Sequence, residues 1–268
     1  MTDRPAADAP REPGQQPAGG PQAAAAPDCE PAGAIADAKK PSGPTVRGSA
    51  TGTFVGVYPD EGRPLYNFAK RVFDIVFSGC AIVVLAVPSV VLSAAICIES
   101  PGAPIYCQRR LGRVRKDGTL QQFTMLKFRS MCKDADAQLA KLQDKNEADG
   151  PLFKIADDPR VTRIGRFIRK HSIDEFPQFV NVFLGQMSVV GPRPPLPGEV
   201  EQYSERDLGR LRVKPGLTGP WQVSGRSDLT FDDMVRLDLE YIDTRSFRGD
   251  LAYIWRTIKV VLDGDGAY

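Results

Sequence analysis

A run of 24 residues without a charged side chain, from residue 75 to residue 98, limits what this chain can fold into more than any other feature. As a straight helix the run would be about 36 Å long, enough to cross the ~30 Å hydrocarbon core of a bilayer. A buried helix of a soluble protein is the alternative, but a helix this long without a polar face is unusual in such a core. The run therefore predicts a helical membrane segment.

Positively charged residues stand at both ends of this run. Lys70 and Arg71 precede it, and five further cations follow it: Arg109, Arg110, Arg113, Arg115 and Lys116. Because such residues mark the cytoplasmic side of a membrane, a segment that enters and leaves on the same face satisfies both clusters. Pro88, near the middle, removes a backbone donor, and Ser89 can bond to backbone groups that the proline frees. The pattern favours a re-entrant hairpin, broken at Pro88 and Ser89, over a full span.

The chain divides into three segments by composition. Residues 1–64 are rich in Pro, Gly and Ala, hold nearly half of the 23 prolines and contain few large apolar side chains. Such a stretch cannot bury enough surface to offset the entropy of ordering it, so we expect a disordered tail. The tail also has no apolar stretch of the kind that a secretory signal needs. We expect the membrane hairpin at residues 65–100 and a small cytoplasmic domain at residues 101–268.

The patterns after the hairpin predict an α/β fold that is mainly helical. Residues 121–131 are typical of a strand that leads into a helix, and residues 157–170 predict a turn followed by a basic helix. Residues 229–244 predict an amphipathic helix. In residues 250–262 the apolar side chains recur at helical spacing, with Arg256 and Lys259 off the apolar stripe. This last pattern suits a helix lying in the membrane interface, and it suits a helix packed on a core as well.

Composition excludes several classes of site. The net charge of +2 is too small to indicate nucleic acid as a partner, and basic patches near a membrane segment more often serve anionic lipid. His171 is the single histidine of the sequence, which excludes histidine-based metal clusters and Ser-His-Asp triads. The five cysteines form no C-x-x-C pair, which indicates reduced thiols.

Two adjacent carboxylates, Asp174 and Glu175, form the sharpest local feature of the sequence. A structural interpretation is available, because Ser172 and Glu175 have the spacing of a helix capping box and a helix dipole favours acidic residues in the first turn. Capping does not explain the cations that surround the pair, however. Five precede it and one follows it in a Gly-Pro-Arg-Pro-Pro turn: Arg160, Arg163, Arg166, Arg169, Lys170 and Arg193.

Two carboxylates among many guanidinium groups are typical of phosphoryl transfer. One carboxylate can attack phosphorus, and a divalent ion held by the other carboxylate and by phosphate oxygens would neutralise the charge that opposes the attack. Arginines would bind a diphosphate bidentately. We expect the helix dipole to keep the nucleophile ionised at neutral pH. For Lys127 and Arg129, binding of substrate and anchoring to lipid head groups are equally compatible with the sequence. A non-catalytic scaffold that gathers anionic lipid or partner proteins on the basic face is the alternative function, although it has no use for acid at the centre of a basic site.

Long stretches of the sequence resemble the bacterial sugar transferase family. They are KFRSM, DDPRVTRIGRFIRKHSIDEFPQFVNVFLGQMSVVGPRP, KPGLTGPWQVSGR and the terminal GAY. The resemblance covers residues 67–268 and implies a monotopic phosphoglycosyl transferase, the enzyme that initiates exopolysaccharide, capsule or O-antigen synthesis. It also implies a catalytic domain over residues 101–268 that transfers a hexose-1-phosphate, most often of glucose or galactose, from a UDP-sugar to undecaprenyl phosphate. UMP would be released, and the route would pass through a phosphosugar bound to an aspartate.

The resemblance also implies roles for particular residues. Asp174 would be the nucleophile and Glu175 its partner at a Mg²⁺ ion, while Arg169 and Arg193 would bind phosphate. Lys127, Arg129 and Arg160 complete the set of candidate phosphate ligands, and Pro88 with Ser89 matches the helix-breaking site. We expect membrane lipid, a second copy of the chain and downstream glycosyltransferases as further partners, and no nucleic acid. We expect the protein at the bacterial inner membrane with the catalytic domain facing the cytoplasm. One departure is GQMS at residues 185–188, where the family usually has Gly-Asp-Met-Ser.

Overall fold

The structure is a computed structural model, and helices predominate in the part of the chain that it describes. The described residues are 57, 59–60, 62–139, 142, 144, 146, 150–152, 155, 157–225 and 229–263. The tail predicted at residues 1–64 lies almost entirely outside this part, as do Arg226 and residues 264–268. The helices are α1 (Pro64–Glu99), α2 (Ala135–Leu139), α3 (Arg163–Lys170), α4 (Gln178–Phe183), α5 (Pro197–Val200), α6 (Glu205–Leu208), α7 (Pro220–Val223), α8 (Phe231–Thr244) and α9 (Phe247–Asp263). The strands are β1 (Ile105–Val114), β2 (Leu120–Phe128), β3 (Ser188–Val190) and β4 (Gly216–Thr218), and 3-10 turns lie at Ile173–Glu175 and Gly209–Arg212. The mixed, mainly helical fold class is confirmed.

The uncharged run lies within α1, a single helix of 36 residues that begins at Pro64 and ends where Ser100 turns to an extended conformation. The sequence predicts an interruption at Pro88 and Ser89, whereas α1 continues through both residues. A proline inside a helix removes one hydrogen bond and bends the helix without having to end it. Within the described residues α1 is the one helix long and apolar enough to cross a membrane.

The first third of α1 packs against the rest of the chain. Phe73 and Phe77 lie against the largest apolar cluster. Asp74 is buried, and its carboxylate accepts hydrogen bonds from the backbone N–H of Val189 at 2.9 Å and the hydroxyl of Ser188 at 3.1 Å. This end of the helix is therefore fixed to β3.

The last turns of α1 return to the same folded unit. Ile96 is 3% exposed and packs with Phe128 at the end of β2 and Ile168 of α3. The Glu99 carboxylate accepts hydrogen bonds from the backbone N–H groups of Arg163 and Ile164 at 2.9 and 3.0 Å, so it caps the first turn of α3. Between the two contacts the valines of α1 are largely exposed: Val83, Val84, Val87, Val90 and Val91.

Strands β1 and β2 form an antiparallel hairpin in which Arg110 pairs with Phe123. The register shifts between Leu111 and Val114, because three steps along β1 face two steps along β2. Such a bulge inserts one residue and re-aims the side chains beside it. The sequence predicts β2 and the turn to a helix after it, but it does not predict β1, whose residues were interpreted as a basic membrane flank.

The main core lies where β2 meets α4, α8 and the short parallel pair of β3 and β4. In that pair Ser188 lies opposite Gly216, and Val190 opposite Thr218. The buried members of the cluster are Phe123, Met125, Val182, Met187, Val189, Val190, Tyr241 and Ile242. Because these side chains come from both halves of the chain, they hold β2 and the segment after α3 side by side.

The helices predicted at residues 157–170, 229–244 and 250–262 are confirmed as α3, α8 and α9. Thr162 and Thr230 cap α3 and α8 through their hydroxyl groups. Helix α9 has features of both a core-packed helix and a membrane-interface helix, the two interpretations of its apolar stripe. Ile254 packs on the core, whereas Trp255 is 73% exposed. The other exposed apolar residues of α9 lie along the same side: Phe247, Leu251, Ile258 and Leu262.

Candidate active site

The two adjacent carboxylates lie in the 3-10 turn between α3 and α4. The chain leaves α3 at His171, and Ser172 takes the left-handed conformation with φ of 53°, which turns it sharply into Ile173–Glu175. The Ser172 carbonyl oxygen accepts the Glu175 N–H at 3.2 Å, whereas the Ser172 side chain makes no capping bond to this turn. The capping-box interpretation of the pair is therefore wrong.

Lys127 of β2 reaches both carboxylates. Its ammonium nitrogen lies 3.1 Å from Oε1 of Glu175 and 3.9 Å from Oδ2 of Asp174. The Asp174 side chain is 11% exposed, against 28% for Glu175 and 25% for Lys127. The structure therefore places Lys127 at the carboxylates, although it lies 47 residues away from Asp174 in sequence.

Burial sets the protonation of Asp174. It raises the pKa of this carboxyl to about 6, and the charge of Glu175 acts in the same direction, while Lys127 and Arg169 oppose the rise. The expectation that a helix dipole holds the carboxylate ionised gives the wrong direction for the shift, because a single 3-10 turn has little dipole and desolvation dominates. Near neutral pH most of the population is still ionised.

Helix α3 lies unusually close to the end of β2. A Cβ atom added to Gly165 would lie 1.9 Å from the Ser130 carbonyl oxygen, a position that a side chain cannot occupy. The Thr162 N–H donates to the same carbonyl at 3.1 Å. This close approach brings the last turn of α3 to the carboxylates, where the charge of Arg169 lowers the pKa of Asp174. Arg169 is thus a neighbour of the site, as the sequence predicts.

Arg110 and Arg193 form a second cationic group near the pair. Arg110 is buried, donates to the Pro194 carbonyl at 2.9 Å and donates through Nε and Nη2 to the Gln108 side chain at 3.0 and 2.7 Å. Burial, together with the charge of Arg193, lowers the pKa of Arg110 to about 9, and Glu175 acts in the opposite direction. Arg193 is 25% exposed and pairs with Glu199 at 3.1 Å.

The sequence missed Arg110, although a signal was available. Arg110 was grouped with the other cations after the uncharged run, whereas alternation along a strand separates their side chains onto two faces. Had residues 105–114 been interpreted as the partner of β2, Arg110 would have been placed opposite Phe123. Because Phe123 and Lys127 are four residues apart on β2, Arg110 would then lie on the same face of the hairpin as Lys127.

Arg129 and Arg160 hold loops in place. Arg129 donates to the Ser100 carbonyl and, at 3.5 Å, to that of Pro101, which fixes the segment after α1. Arg160 is buried and pairs with Asp158 at 2.6 Å, and it donates to the Ala135 carbonyl at 3.2 Å. The structure therefore brings Lys127 and Arg169 to the carboxylates and places Arg193 beside Arg110. Arg129 and Arg160 instead bond to backbone carbonyl groups of neighbouring segments.

The whole of this arrangement falls inside one match to a known family. The model of the bacterial sugar transferase family matches residues 65–264, three quarters of the sequence. The chain belongs to that family. The resemblance found in KFRSM and in the residues around Asp174 is thereby confirmed, and the matched range includes α1 after Pro64 and every candidate site residue.

Named relatives of this sugar transferase include proteins of similar and of greater length. The galactosyl transferase CpsE of Streptococcus agalactiae is 46% identical over 74% of this chain and 43% of its own length. The undecaprenyl-phosphate galactose phosphotransferase of Salmonella typhimurium is 41% identical over 75% of this chain and 42% of its own. The chain thus spans about two fifths of these two relatives. The exopolysaccharide production protein ExoY of Rhizobium meliloti is 37% identical over 77% of this chain and 91% of its own length.

The donor set of this sugar transferase fits a magnesium ion. Within the described residues there is no group of three or more His, Cys, Asp or Glu side chains that could hold a metal. Mg²⁺ in phosphate-handling sites commonly takes one or two carboxylates and completes its shell with water and substrate oxygens. Asp174 and Glu175 are two such oxygen donors, and the charge of each acts on the other, since Glu175 adds to the rise that burial causes in the pKa of Asp174. A cation would relieve that charge.

Proposed function

We propose that this sugar transferase moves a hexose-1-phosphate, of glucose or galactose, from a UDP-sugar to undecaprenyl phosphate and releases UMP. The observation that carries the proposal is the burial of Asp174 beside Glu175, with Lys127 3.9 Å from Asp174 and the charge of Arg169 acting on it. The names of relatives support the acceptor and the sugar, since they include an undecaprenyl-phosphate galactose and an undecaprenyl-phosphate glucose phosphotransferase.

In the first step an Asp174 carboxylate oxygen attacks the phosphorus that carries the sugar. A bond forms between this oxygen and phosphorus, and the bond from phosphorus to the bridging diphosphate oxygen breaks. The electron pair of that bond leaves with UMP, so the sugar-1-phosphate stays on the enzyme as an acyl phosphate. Because the attacking group is already a carboxylate, the step requires no proton transfer.

In the second step a phosphate oxygen of undecaprenyl phosphate attacks the same phosphorus. The new oxygen–phosphorus bond forms as the bond to Asp174 breaks, and the carboxylate returns to its initial state. The product is a diphosphate that joins the lipid and the sugar. The two steps use the same groups in reverse order, which explains how a site with one buried nucleophile can serve two substrates in turn.

The surrounding cations neutralise the charge that accumulates when a carboxylate approaches a diphosphate. Lys127 and Arg169 act next to Asp174, and Arg193 binds phosphate oxygens from the adjoining turn. Arg110 positions Arg193, because it fixes the Pro194 carbonyl in that turn. Magnesium, held by Asp174 and Glu175, would supply further neutralisation of the diphosphate and of the departing UMP.

Helix α1 would place this chemistry at a membrane surface. Both ends of α1 contact the catalytic domain, through Asp74 and Ile96, whereas its middle is apolar and exposed. A helix that crossed the bilayer would carry one of these ends to the other side, about 33 Å away. The contacts support a segment that dips into the membrane and returns, with Pro88 at its deepest part. Cations flank both ends, so we place the domain on the cytoplasmic face of the bacterial inner membrane.

The names of relatives also suggest the pathway. A relative from Rhizobium meliloti is an exopolysaccharide production protein. We infer that this sugar transferase carries out the first membrane step of such a polymer and hands its product to downstream glycosyltransferases.

The decisive experiment is capture of the covalent intermediate. Purified protein is incubated with Mg²⁺ and UDP-galactose, or UDP-glucose, carrying ³²P in the phosphate next to the sugar, without lipid acceptor. We expect stoichiometric label on the protein, located on the peptide that contains Asp174, and an equal amount of UMP. Undecaprenyl phosphate added later should remove the label.

Two variants separate the roles of the carboxylates. Asp174→Asn should retain no label and lose several orders of magnitude in rate, because no neighbouring group replaces the nucleophile. Glu175→Gln should be labelled slowly, and a higher Mg²⁺ concentration should recover part of the rate. Initial rates that require both substrates bound at once, without label on the protein, would rule out the covalent route. No UMP release from either donor would instead favour the lipid-gathering scaffold.

A further inference from the structure

A basic cavity lies at the start of α1, away from the carboxylates. It consists of two adjoining parts of about 400 and 420 Å³ that share Arg113 and Lys214 in their walls. Gln121 near the start of β2 lines one part, whereas Lys127 near the end of β2 contacts Asp174. Six residues of extended strand separate these positions by about 20 Å. The cavity is therefore distinct from the site proposed for catalysis.

Three cations converge on this cavity. Arg71 is held in place by the carbonyl oxygens of Val182 and Phe183, each at 2.8 Å. Arg113 lies in the bulge of β1, which directs it toward α1. Lys214 is the third, in the loop that leads to β4. Among the described residues neither Arg113 nor Lys214 forms an ion pair.

The two carboxylates in the wall of the cavity have partners of their own. Asp60 pairs with Arg245, another residue of the wall, at 2.8 Å, and Asp74 accepts the Val189 N–H. Burial and the charges of Arg71 and Arg113 lower the pKa of Lys214 below its usual value. Asp74 acts on Lys214 in the opposite direction, but one carboxylate does not balance three cations in a half-buried space, an arrangement that costs free energy unless an anion enters.

We propose that this cavity binds a phosphate group between Arg71, Arg113 and Lys214. Two guanidinium groups can each donate two hydrogen bonds to phosphate oxygens, and an ammonium group adds a compact charge. The space is larger than an inorganic phosphate ion, so the group would be carried on a larger molecule.

Two sources provide this chemistry, a soluble phosphate ester and a phospholipid head group. The position favours the head group, since the uncharged run begins at residue 75, one turn after Arg71. Leu184, which precedes Gly185 of the cavity wall, is 63% exposed. Cations next to a membrane segment attract anionic lipids. The inference is independent of the catalytic proposal, because none of the three cations belongs to the carboxylate site.

The test compares thermal unfolding of the full chain in nonionic detergent with increasing inorganic phosphate. The variants are Arg113→Gln and Lys214→Gln, and the control is Arg248→Gln, which removes an equal charge from an exposed position on α9. A ligand that binds the folded state raises Tm. We expect each cavity variant to bind phosphate at least about tenfold more weakly than the control does. Without phosphate, their Tm should be no lower than that of wild type, because repulsion among the cations is reduced. Phosphate bound at the carboxylate site contributes equally to all four proteins.

A second arm replaces phosphate with soluble dihexanoyl phosphatidylglycerol. If the head group is the natural occupant, this lipid should raise Tm at lower concentration than phosphate does, and the gain should be lost in both cavity variants. If a soluble phosphate ester is the occupant, phosphate should raise Tm, whereas the lipid should cause no rise in Tm that depends on Arg113. The proposal fails if, with both probes, the cavity variants respond as Arg248→Gln does. If Arg113→Gln does not fold, the Lys214→Gln protein decides the result. UMP release, measured in all variants, tests the catalytic proposal separately.

Discussion

At the scale of single residues, Asp174 combines two properties that conflict. The proposed attack on phosphorus requires a charged carboxylate, whereas burial makes that charge costly and raises the pKa to about 6. A charge that is poorly solvated in the free protein is a better nucleophile and interacts more strongly with an incoming cationic or polarised group. The protein is therefore expected to be less stable with Asp174 than with a neutral residue of the same shape.

We predict that Asp174→Asn raises the free energy of unfolding at pH 8 by about 1–3 kcal/mol, measured in EDTA. The pKa of Asp174 is higher in the folded state than in the unfolded chain, so the folded state binds the extra proton between about pH 4 and pH 6. Wild-type stability then falls relative to the variant as the pH rises through this window, and the deficit stays constant above it. Thermal or urea unfolding of both proteins at pH 4.5 and pH 8 measures the difference.

The exposed carboxylate Asp232 offers a control, since Asp232→Asn should change stability little at either pH. If Asp174→Asn is less stable than wild type at pH 8, burial does not dominate the ionisation of Asp174.

Sequence alone groups some of the candidate site residues, whereas the contacts of others depend on the fold. Asp174, Glu175 and Arg169 lie within seven residues, so local pattern was enough to group them. Lys127 was left open between two roles because its contact with Glu175 depends on tertiary packing. Arg160 stays a predicted phosphate ligand, and its pair with Asp158, two residues earlier, is a local contact that the sequence could have indicated.

At the scale of elements, α3 depends on its close contact with the end of β2. In most helices an exchange of Gly for Ala stabilises the protein by roughly 0.5–1 kcal/mol. At Gly165 the added Cβ would overlap the Ser130 carbonyl oxygen at 1.9 Å, and the helix would have to move away. Arg169, one turn further on, would move with it.

We predict that Gly165→Ala destabilises the protein by about 1–3 kcal/mol or more and lowers kcat/KM for the UDP-sugar. Gly198→Ala in α5 is the matched control, because nothing lies within 4 Å of the added Cβ. The control should be neutral or slightly stabilising and fully active. Thermal unfolding and initial rates of UMP release measure both effects, and equal behaviour of the two variants would show that α3 does not need the close contact.

The helices were easier to predict than the sheet. The long uncharged run predicted α1, and periodic apolar residues predicted α8 and α9, because a helix repeats its pattern over many turns. Strand β1 escaped prediction, since its charged residues Arg109, Arg110 and Arg113 interrupt any apolar alternation and its pairing with β2 is visible only in three dimensions. Strands β3 and β4 have three residues each, too few for a pattern.

At the scale of the whole molecule, the topology of α1 can be tested directly. In a variant without native cysteines, Ala69→Cys lies before the uncharged run and Asp117→Cys lies in the turn after β1, and both positions are exposed. We predict that a membrane-impermeant maleimide labels neither site in intact spheroplasts and labels both in inside-out vesicles. A native periplasmic protein serves as the positive control in spheroplasts. Labelling of either site in intact spheroplasts would contradict the re-entrant topology.

The contact of Glu99 with α3 has a mechanical consequence. Glu99 is the last residue of the helix proposed to enter the bilayer, and its carboxylate also holds the first backbone N–H groups of the helix that carries Arg169. The far end of α1 is fixed to β3 through Asp74, so strain in the helix cannot be released by sliding. If α1 enters the bilayer as proposed, its depth in the lipid and the position of Arg169 would be coupled through Glu99. Lipid chain length would then affect the carboxylate site, because a bilayer that tilts or bends α1 would displace the carboxylate that caps α3.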